Sequence, residues 1–260
     1  MKPKQIFNPI KIIHTSDLHL GSDGFKSSVQ GKSIPIKQVV DTTLNKKADV
    51  LVIAGDLVDH NRVHLEVILE LQNQLNRLRI PIILLPGNHD SLDEDSIYNR
   101  AQLVENCPYL QMFSNSNGEI IHLKNLHLSF WGKPTIHHSP QFLPLGNAPK
   151  RNQEKWFLGV AHGLITEESN NEQRSSPIFR SHIAESDFDY IALGHIDVFR
   201  DVSERNVPAF YSGSPEGTTP EHPGVVALIE LDDHKGVTVK PITVEINLPN
   251  ENFQRIKHPY

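Results

Sequence analysis

Short, almost continuous apolar runs separated by helical periodicity set the pattern of this chain. Residues 12–13, 50–54, 82–85, 157–161 and 190–193 are built from Ile, Val, Leu, Ala, Phe and Tyr with little polar interruption. Such runs read as strands buried on both faces. Between the first three the spacing lengthens. Val39, Val40, Thr43 and Leu44 predict a helix over 35–47, opened by Pro35 where a missing amide costs nothing, and Val67, Ile68, Leu71, Leu75 and Leu78 predict a longer one. The resulting βαβαβ order favours a parallel sheet with right-handed crossovers. A further helix is expected over 96–106, after which the pattern turns to β. Residues 119–123 and 126–130 flank Lys124-Asn125 as a hairpin, and 224–231 with 237–246 form a second one around 232–236. Two β-rich zones with helices between them are best built as a four-layer αββα fold of the α/β class: two packed mixed sheets flanked by helices. No internal repeat or dividing linker is evident, so residues 1–260 read as one domain. The polar stretches 21–33, 133–155 and 166–177 read as loops, the latter two lining a cleft.

The polar residues that end each buried run give the chain its chemistry. Asp17-Leu18-His19, Gly55-Asp56, Gly87-Asn88-His89-Asp90, His162-Gly163 and Gly194-His195-Ile196-Asp197 stand at the ends of the five runs. Side chains at strand ends gather at one edge of a sheet, where α/β proteins place their ligands. One Asp-x-His or Gly-Asp alone is a turn; five such segments in order make a metal centre. A single cysteine, Cys107, leaves neither an intramolecular disulfide nor a thiolate cluster. Any ion must then be held by imidazole, carboxylate and amide groups, which suits hard or borderline metals. The 38% hydrophobic and 22% charged composition is that of an ordinary globular protein. A net charge of -6 argues against a general nucleic-acid coat protein, although it counts Asp17, Asp56 and Asp197 without bound cations. The first residues carry lysines and no apolar core, unlike a secretion signal, and no apolar stretch approaches the roughly 20 residues of a membrane span. The expected location is the cytoplasm, with no membrane partner.

In this order the motifs D-x-H, G-D-x-x-D, G-N-H-D, H-G and G-H-x-H resemble those of the calcineurin-like metallophosphoesterases, and the resemblance runs over roughly residues 12–245. Within that superfamily, 14–21 (HTSDLHLG), 54–59 (AGDLVD) and 211–216 (YSGSPE) are most similar to the Mre11/SbcD-type DNA repair exonucleases. The resemblance implies two divalent ions, with Mn²⁺ expected first and Fe or Zn as alternatives. Asp17, His19 and Asp197 would hold one ion and Asn88, His162 and His195 the other. Asp56 would bridge them, so that both would be lost with it. A metal-bridging hydroxide would be the nucleophile. His89 would be the general acid rather than a ligand, and Asp59 would hold its ring, fixing the tautomer. One position departs from the pattern: Asp197 stands where the family usually has a second histidine. A carboxylate there adds negative charge and favours harder ions such as Mn²⁺.

Other polar residues receive structural readings. Asp90 is expected to serve as a turn or helix-start acceptor, and His14 as a packed strand-end residue. His60, His64, His122, His127, His137 and His138 are expected on the surface, and 211–216 as a turn at the cleft edge. Arg62, shortly after Asp59, is the candidate contact to a substrate phosphate. The expected function is therefore metal-dependent phosphodiester hydrolysis, first as a DNA exonuclease in repair. A phosphodiesterase or phosphatase for small nucleotides is the alternative, and the retained His89, Asp56 and Asn88 weigh against a non-catalytic scaffold. DNA or a small phosphodiester would be the partner. Charges around 150–151 and 200–205 are too mixed to form a nucleic-acid groove. Mre11/SbcD-type chains usually continue into a capping domain and helices that grip an ABC-type ATPase. Neither is evident here, which leaves the ATPase partner in doubt and the oligomeric state unassigned.

Overall fold

The computed structural model describes residues 9–22, 35–137, 139, 141–167, 176–217 and 222–244. Most of the expected loops 21–33 and 166–177, His138 and residues 245–246 lie outside the described residues. In chain order the elements are β1 (Ile10–Thr15), α1 (Pro35–Lys46), β2 (Val50–Ala54), α2 (Leu65–Leu75), β3 (Ile82–Leu85), α3 (Ile97–Arg100), α4 (Leu103–Asn106), β4 (Leu110–Met112), β5 (Glu119–Leu123), β6 (Leu128–Gly132), β7 (Trp156–His162), β8 (Leu164–Thr166), β9 (Pro177–Phe179), α5 (Arg180–Ala184), β10 (Tyr190–Gly194), β11 (Arg200–Asp201), β12 (Ala209–Tyr211), β13 (Val225–Asp232) and β14 (Gly236–Thr243).

Twelve of these strands form two six-stranded sheets, ordered β14-β13-β1-β2-β3-β4 and β11-β12-β10-β7-β6-β5, and β8 and β9 pair in parallel on their own. β1 to β4 pair in parallel while β13 and β14 pair antiparallel beside them, and the second sheet is mixed as well. The two-residue alternation of strand side chains then builds two cores at once. Ile13, Leu51, Ile53 and Leu84 face outward onto Val39 and Val40 of α1 and Ile68, Leu71 and Leu75 of α2. Their neighbours Ile12, Val50, Val52, Ile83 and Leu85 face inward onto Phe130, Leu158, Val160 and Ala192 of the second sheet. Burial on both faces explains why these runs carry almost no polar residue. The outer face of the second sheet packs Phe157, Ile191 and Leu193 against Ile183 of α5 and Leu145. The αββα layers are thus present, although α5 and the loop around Leu145 do on one side what two full helices do on the other. The buried ammonium of Lys133 pins that loop, donating to the carbonyl oxygens of Leu143 and Gly146 at 2.9 and 2.7 Å. Among the described residues no helix is long and apolar enough to cross a membrane.

Two local expectations fail for identifiable reasons. The helix expected over 96–106 is broken by Gln102, whose φ of 49° is left-handed. The Ala101 carbonyl turns to the side-chain amide of Gln72 on α2, at 3.1 Å, which stabilises the break. The first hairpin does not turn on Lys124-Asn125. A two-residue turn of the type that suits a twisted hairpin needs positive φ at both positions, which lysine resists. The chain instead makes a turn of 3-10 helix over Lys124–Leu126, with His127 left-handed at φ 48° and Leu123 opposite Leu128. His127 is therefore exposed on a turn rather than on a strand. The short edge strand β4 carried no periodic signal.

His14 crosses between the sheets, its Nδ1 2.9 Å from the hydroxyl of Tyr190 on β10. Burial, opposed by a weaker contribution from the Leu193 backbone, lowers its pKa to about 3. The unfolded chain takes up this proton near pH 6.5 and the folded one does not, so stability should fall as pH drops from about 6.5 towards 3. In a His14→Asn variant the unfolding free energy should be lower at pH 7.5, through loss of the Tyr190 contact. Its dependence on pH between 6 and 4 should be shallower by up to about 1.4 kcal/mol per pH unit, the slope of one proton. Denaturant titrations across that range check this, and identical slopes would show that His14 is not held neutral.

Candidate metal centre

The loops that end β1, β2, β3, β7 and β10 meet at one edge of the paired sheets. Backbone bonds continue the β1–β2 pairing past the strands: Asp17 N donates to Gly55 O at 3.1 Å, His19 N to Asp56 O at 3.0 Å and Leu20 N to Leu57 O at 3.0 Å. Along this stretch Asp17, His19 and Asp56 adopt positive φ of 54°, 44° and 52°, and His195 one of 108°. Each such residue costs on the order of 1–3 kcal/mol and persists only where its surroundings over-determine it. Here the strain turns successive side chains towards one point. Two glycines let the loops close on it. A Cβ on Gly55, at φ 92°, would lie 2.2 Å from His162 Nδ1, and one on Gly194 would lie 1.9 Å from Ala54 O.

Asp56 sits at the centre, only 2% exposed. Its Oδ1 accepts from the His89 amide at 3.0 Å, while Oδ2 lies 3.2 Å from His162 Nε2 and 3.9 Å from His19 Nε2. The Ala54 carbonyl, 2.8 Å from His162 Nδ1, can only accept, so that nitrogen carries the proton and Nε2 faces the centre as a lone pair when the ring is neutral. Asn88 Oδ1 is 3.0 Å from His162 Nε2 and 3.1 Å from His195 Nδ1. Beneath them Asp90 accepts from the amides of Gly87 and Leu57, both at 2.6 Å, from Asp56 N at 3.3 Å and from the Tyr98 hydroxyl. It is the structural acceptor the sequence suggests, and it fastens two of the ligand loops together.

Asp17 is positioned from the opposite side. Its carboxylate accepts from His195 N at 2.9 Å and from the Ser16 hydroxyl. Ser16 Oγ is 2.8 Å from Ser212 Oγ, and Ser214 Oγ donates to the Asp17 carbonyl at 2.8 Å. Tyr211 OH donates to Gly163 O at 2.8 Å and accepts from Ile165 N at 3.0 Å. Segment 211–216, read from the sequence as a turn, is thus a scaffold for Asp17 and for the loop after His162. Sequence reasoning missed Ser16, Ser212 and Ser214 as supporting residues; the available signal was a serine pair beside glycine directly after an apolar strand.

The expected ligands fall into two groups. Donor atoms of Asp17, His19 and Asp197 lie within 4.8 Å of one another, as do those of Asp56, His162 and His195. Asn88 adjoins the second set, and Asp56 reaches both His162 and His19. His89 is also close, one of its nitrogens falling within 4.8 Å of donors on His19 and Asp56. Its Nδ1 is held at 2.8 Å by the backbone carbonyl of Asp59, whereas the Asp59 carboxylate is 3.9 Å away and lies nearer His19 Nδ1, at 3.3 Å. The link from Asp59 to His89 therefore runs through the carbonyl. The His19 ring, edge-on to His89 at 4.6 Å, takes the carboxylate. Arg62 is exposed on the following loop, its amide 3.2 Å from His60 Nδ1, and has no bond to the clustered donors among the described residues. His60, His64 and His137 are exposed, and His122 lies 3.7 Å from Glu154 at the surface.

The charges of this centre lean on one another. Burial opposes charge on Asp56, but the facing His162, then His19 and His89, outweigh it and hold the carboxyl well below the usual range. Burial opposes charge on His162 as well, yet Asp56, Asp17 and the Ala54 carbonyl raise it to about 10. His19 is raised to about 9, because Asp59, Asp56, Asp17 and Asp197 together overcome its desolvation. Asp17 is pushed up to about 6, chiefly by burial and against the pull of His162. A carboxylate-rich pocket that keeps two histidines protonated is one in which protons fill the place of cations. The all-nitrogen-and-oxygen donors, their grouping in two sets and the shared Asp56 fit two divalent ions.

Loading metal must displace the protons on His19 and His162, so affinity should climb as pH rises towards 9. Without metal, the stability these two histidines gain from their carboxylates is complete below about 6.5 and is lost as pH rises through 9 to 10. The melting-temperature gap between metal-loaded and chelator-treated protein should therefore widen from pH 6.5 to 9; a constant gap would contradict this charge balance. Asp197→Ala should lower the stoichiometry from two ions to one, leaving the ion beside Asn88, His162 and His195. Asp197→His should restore two and raise the relative affinity for Zn²⁺, which imidazole suits better. Elemental analysis with competition titrations checks both variants, and full occupancy in Asp197→Ala would remove Asp197 from the ligand set.

Comparison with known proteins bears on the fold and the family. The chain is similar in fold to a dimetal phosphatase from Danio rerio, at 11% identity and a TM-score of 0.59, covering 92% of this chain and 100% of that one. It is also similar to purple acid phosphatase PPD1 from yellow lupin (Lupinus luteus) seeds, at 13% identity and a TM-score of 0.57, over 91% of this chain and 52% of that one. A third structure, TT1561 of Thermus thermophilus, matches at 12% identity and a TM-score of 0.54, over 91% of this chain and 100% of that one. At these identities the likeness concerns the fold. The family description calcineurin-like phosphoesterase matches residues 10–199, which run from β1 to just beyond Asp197 and hold every donor named above. The chain belongs to the calcineurin-like phosphoesterase family, whose members are dinuclear metal-dependent enzymes.

Proposed function

We propose that this chain is a two-metal phosphodiesterase acting on nucleic acid, a nuclease of the Mre11/SbcD type. The observation that carries the reading is the meeting of two donor sets on Asp56, with His89 at the open rim beside them. Asp17, His19 and Asp197 would hold one ion, Asn88, His162 and His195 the other, and Asp56 both. Divalent ions held there would lower the pKa of a water and draw negative charge from the phosphate oxygens, with Mn²⁺ favoured by the carboxylate of Asp197.

The remaining chemistry belongs to the chain. Water attacks phosphorus and releases a proton to solvent, the bond to the leaving oxygen breaks, and that oxygen needs a proton. His89 is placed to supply it: the Asp59 carbonyl holds Nδ1–H, which leaves Nε2 as the nitrogen to pass on a proton, and the side chain is 44% exposed. The Asp59 carboxylate lies 3.3 Å from His19, whose pKa it raises, and 3.9 Å from His89. The His89 amide bond to Asp56 ties the proton donor to the bridging carboxylate. Arg62, exposed on the loop after Asp59, is the further contact for a substrate phosphate.

The choice of nucleic acid rests on segments 14–21, 54–59 and 211–216. A second reading, hydrolysis of small phosphoesters, is favoured by the net charge of -6, which does not attract a polyanion, and by the phosphatases among the proteins of similar fold. Assays side by side on duplex ends, single-stranded DNA, cyclic nucleotides and a chromogenic diester separate the two.

Hydrolysis should vanish with chelator and return with added Mn²⁺; full activity in a verified metal-free preparation would exclude the mechanism. His89→Ala should keep two bound ions and substrate affinity while turnover drops by about 10²–10⁴, the usual cost of losing a general acid. Metal content falling in step with activity would make His89 a ligand instead.

A further inference from the structure

Next to the metal centre, on the side of the second sheet, lies an open cavity of about 520 Å³ that the chemistry above leaves unused. Leu164, Ile165 and Ile196 form an apolar wall, and Arg180, Arg200 and Tyr211 stand around it. The wall is shared with the ligand loops. Ile196 lies in sequence between His195 and Asp197, Leu164 and Ile165 follow His162, and the Tyr211 hydroxyl is bonded to the intervening Gly163.

The charged residues of this cavity are not equivalent. Arg180 is committed to Glu167, at 3.0 Å, and to Glu204. The carboxylate of Asp201, another lining residue, accepts from Ser203 N at 2.9 Å and Ser203 Oγ at 2.6 Å. The side chain of Arg200, on the exposed edge strand β11, has no carboxylate or carbonyl partner among the described residues. One guanidinium among the residues lining the cavity is therefore left for an anion, beside an apolar lining. Guanidinium groups recognise phosphate through paired N–H bonds, and a pocket of a few hundred cubic ångströms accommodates a base and sugar.

We propose that this cavity binds a nucleotide unit adjoining the scissile phosphate, with its own phosphate on Arg200 and its base and sugar against Leu164, Ile165 and Ile196. The inference rests on the phosphodiesterase reading and deepens it: the cavity is what distinguishes a nucleotide chain from an isolated phosphoester.

Two measurements on the full chain test it. In the first, adenosine 5′-monophosphate and inorganic phosphate are titrated into chelator-treated protein by calorimetry, so that bound metal cannot capture the phosphate. The nucleotide should bind more tightly than phosphate, and Arg200→Gln should weaken its binding about tenfold, with Arg200→Glu weaker still. Equal binding of both ligands, or of wild type and variants, overturns the site. In the second, kcat/KM is compared with Mn²⁺ on a thymidine dinucleotide and on bis(4-nitrophenyl) phosphate. Arg200→Gln should lower the ratio of dinucleotide to chromogenic substrate about tenfold, mainly through KM, and an unchanged ratio overturns the proposal. If wild type cleaves neither diester, the phosphodiesterase reading fails on its own, and the nucleotide titration, which needs no turnover, still decides the cavity.

Discussion

A carboxylate taken out of water must be compensated, and in this protein Asp56 makes that demand on everything around it. It lies where two sheets meet, with His162 against one oxygen and the His89 amide against the other. Bringing His162 so close requires β2 and β7 to end in register across the interface, and it requires Gly55 and Gly194 where any side chain would collide. Holding Asp56 in its left-handed turn requires the amides of that turn to be satisfied, which Asp90 does from beneath. Fold, strain and electrostatics thus serve one buried negative charge, and the cations that answer it are also the ones its chemistry needs.

The surrounding residues divide into those that face the centre and those that aim them. Ala54 O fixes which nitrogen His162 presents, and Asp59 O does the same for His89. Ser16, backed by Ser212, bonds the Asp17 carboxylate, and Ser214 holds the Asp17 backbone. Most of these partners are main-chain carbonyls or short hydroxyls on strand ends, which have few rotamers to lose. Such groups orient a metal-binding side chain at little entropic cost, and metal affinity depends on them nearly as much as on the ligands.

Much of this was legible from the sequence because it is written in a two-residue period and in residue types. Buried parallel strands must be apolar on both faces, so β1, β2, β3, β7 and β10 stand out, and the polar residues that end them mark the sheet edge. All seven proposed ligands arrive at one place for that reason. The rest depends on backbone conformation and on distant partners, which no local pattern encodes. The break at Gln102 is supported by Gln72 on another helix, and the longer turn at 124–127 reflects a lysine's resistance to positive φ. The approach of Ser212 to Ser16 joins residues 196 positions apart. The preference of the Asp59 carboxylate for His19 over His89 is likewise a matter of 3.3 against 3.9 Å, settled by packing of the two rings.

The central claim is that Asp56 is shared between two ions, each completed by its own donor set. Anomalous scattering from a crystal of the Mn²⁺-loaded protein tests it most directly. Two peaks about 3.5–4 Å apart are expected, flanking the Asp56 carboxylate, one towards Asp17, His19 and Asp197 and the other towards Asn88, His162 and His195. A single peak, or a pair that leaves Asp56 uncoordinated, would contradict it.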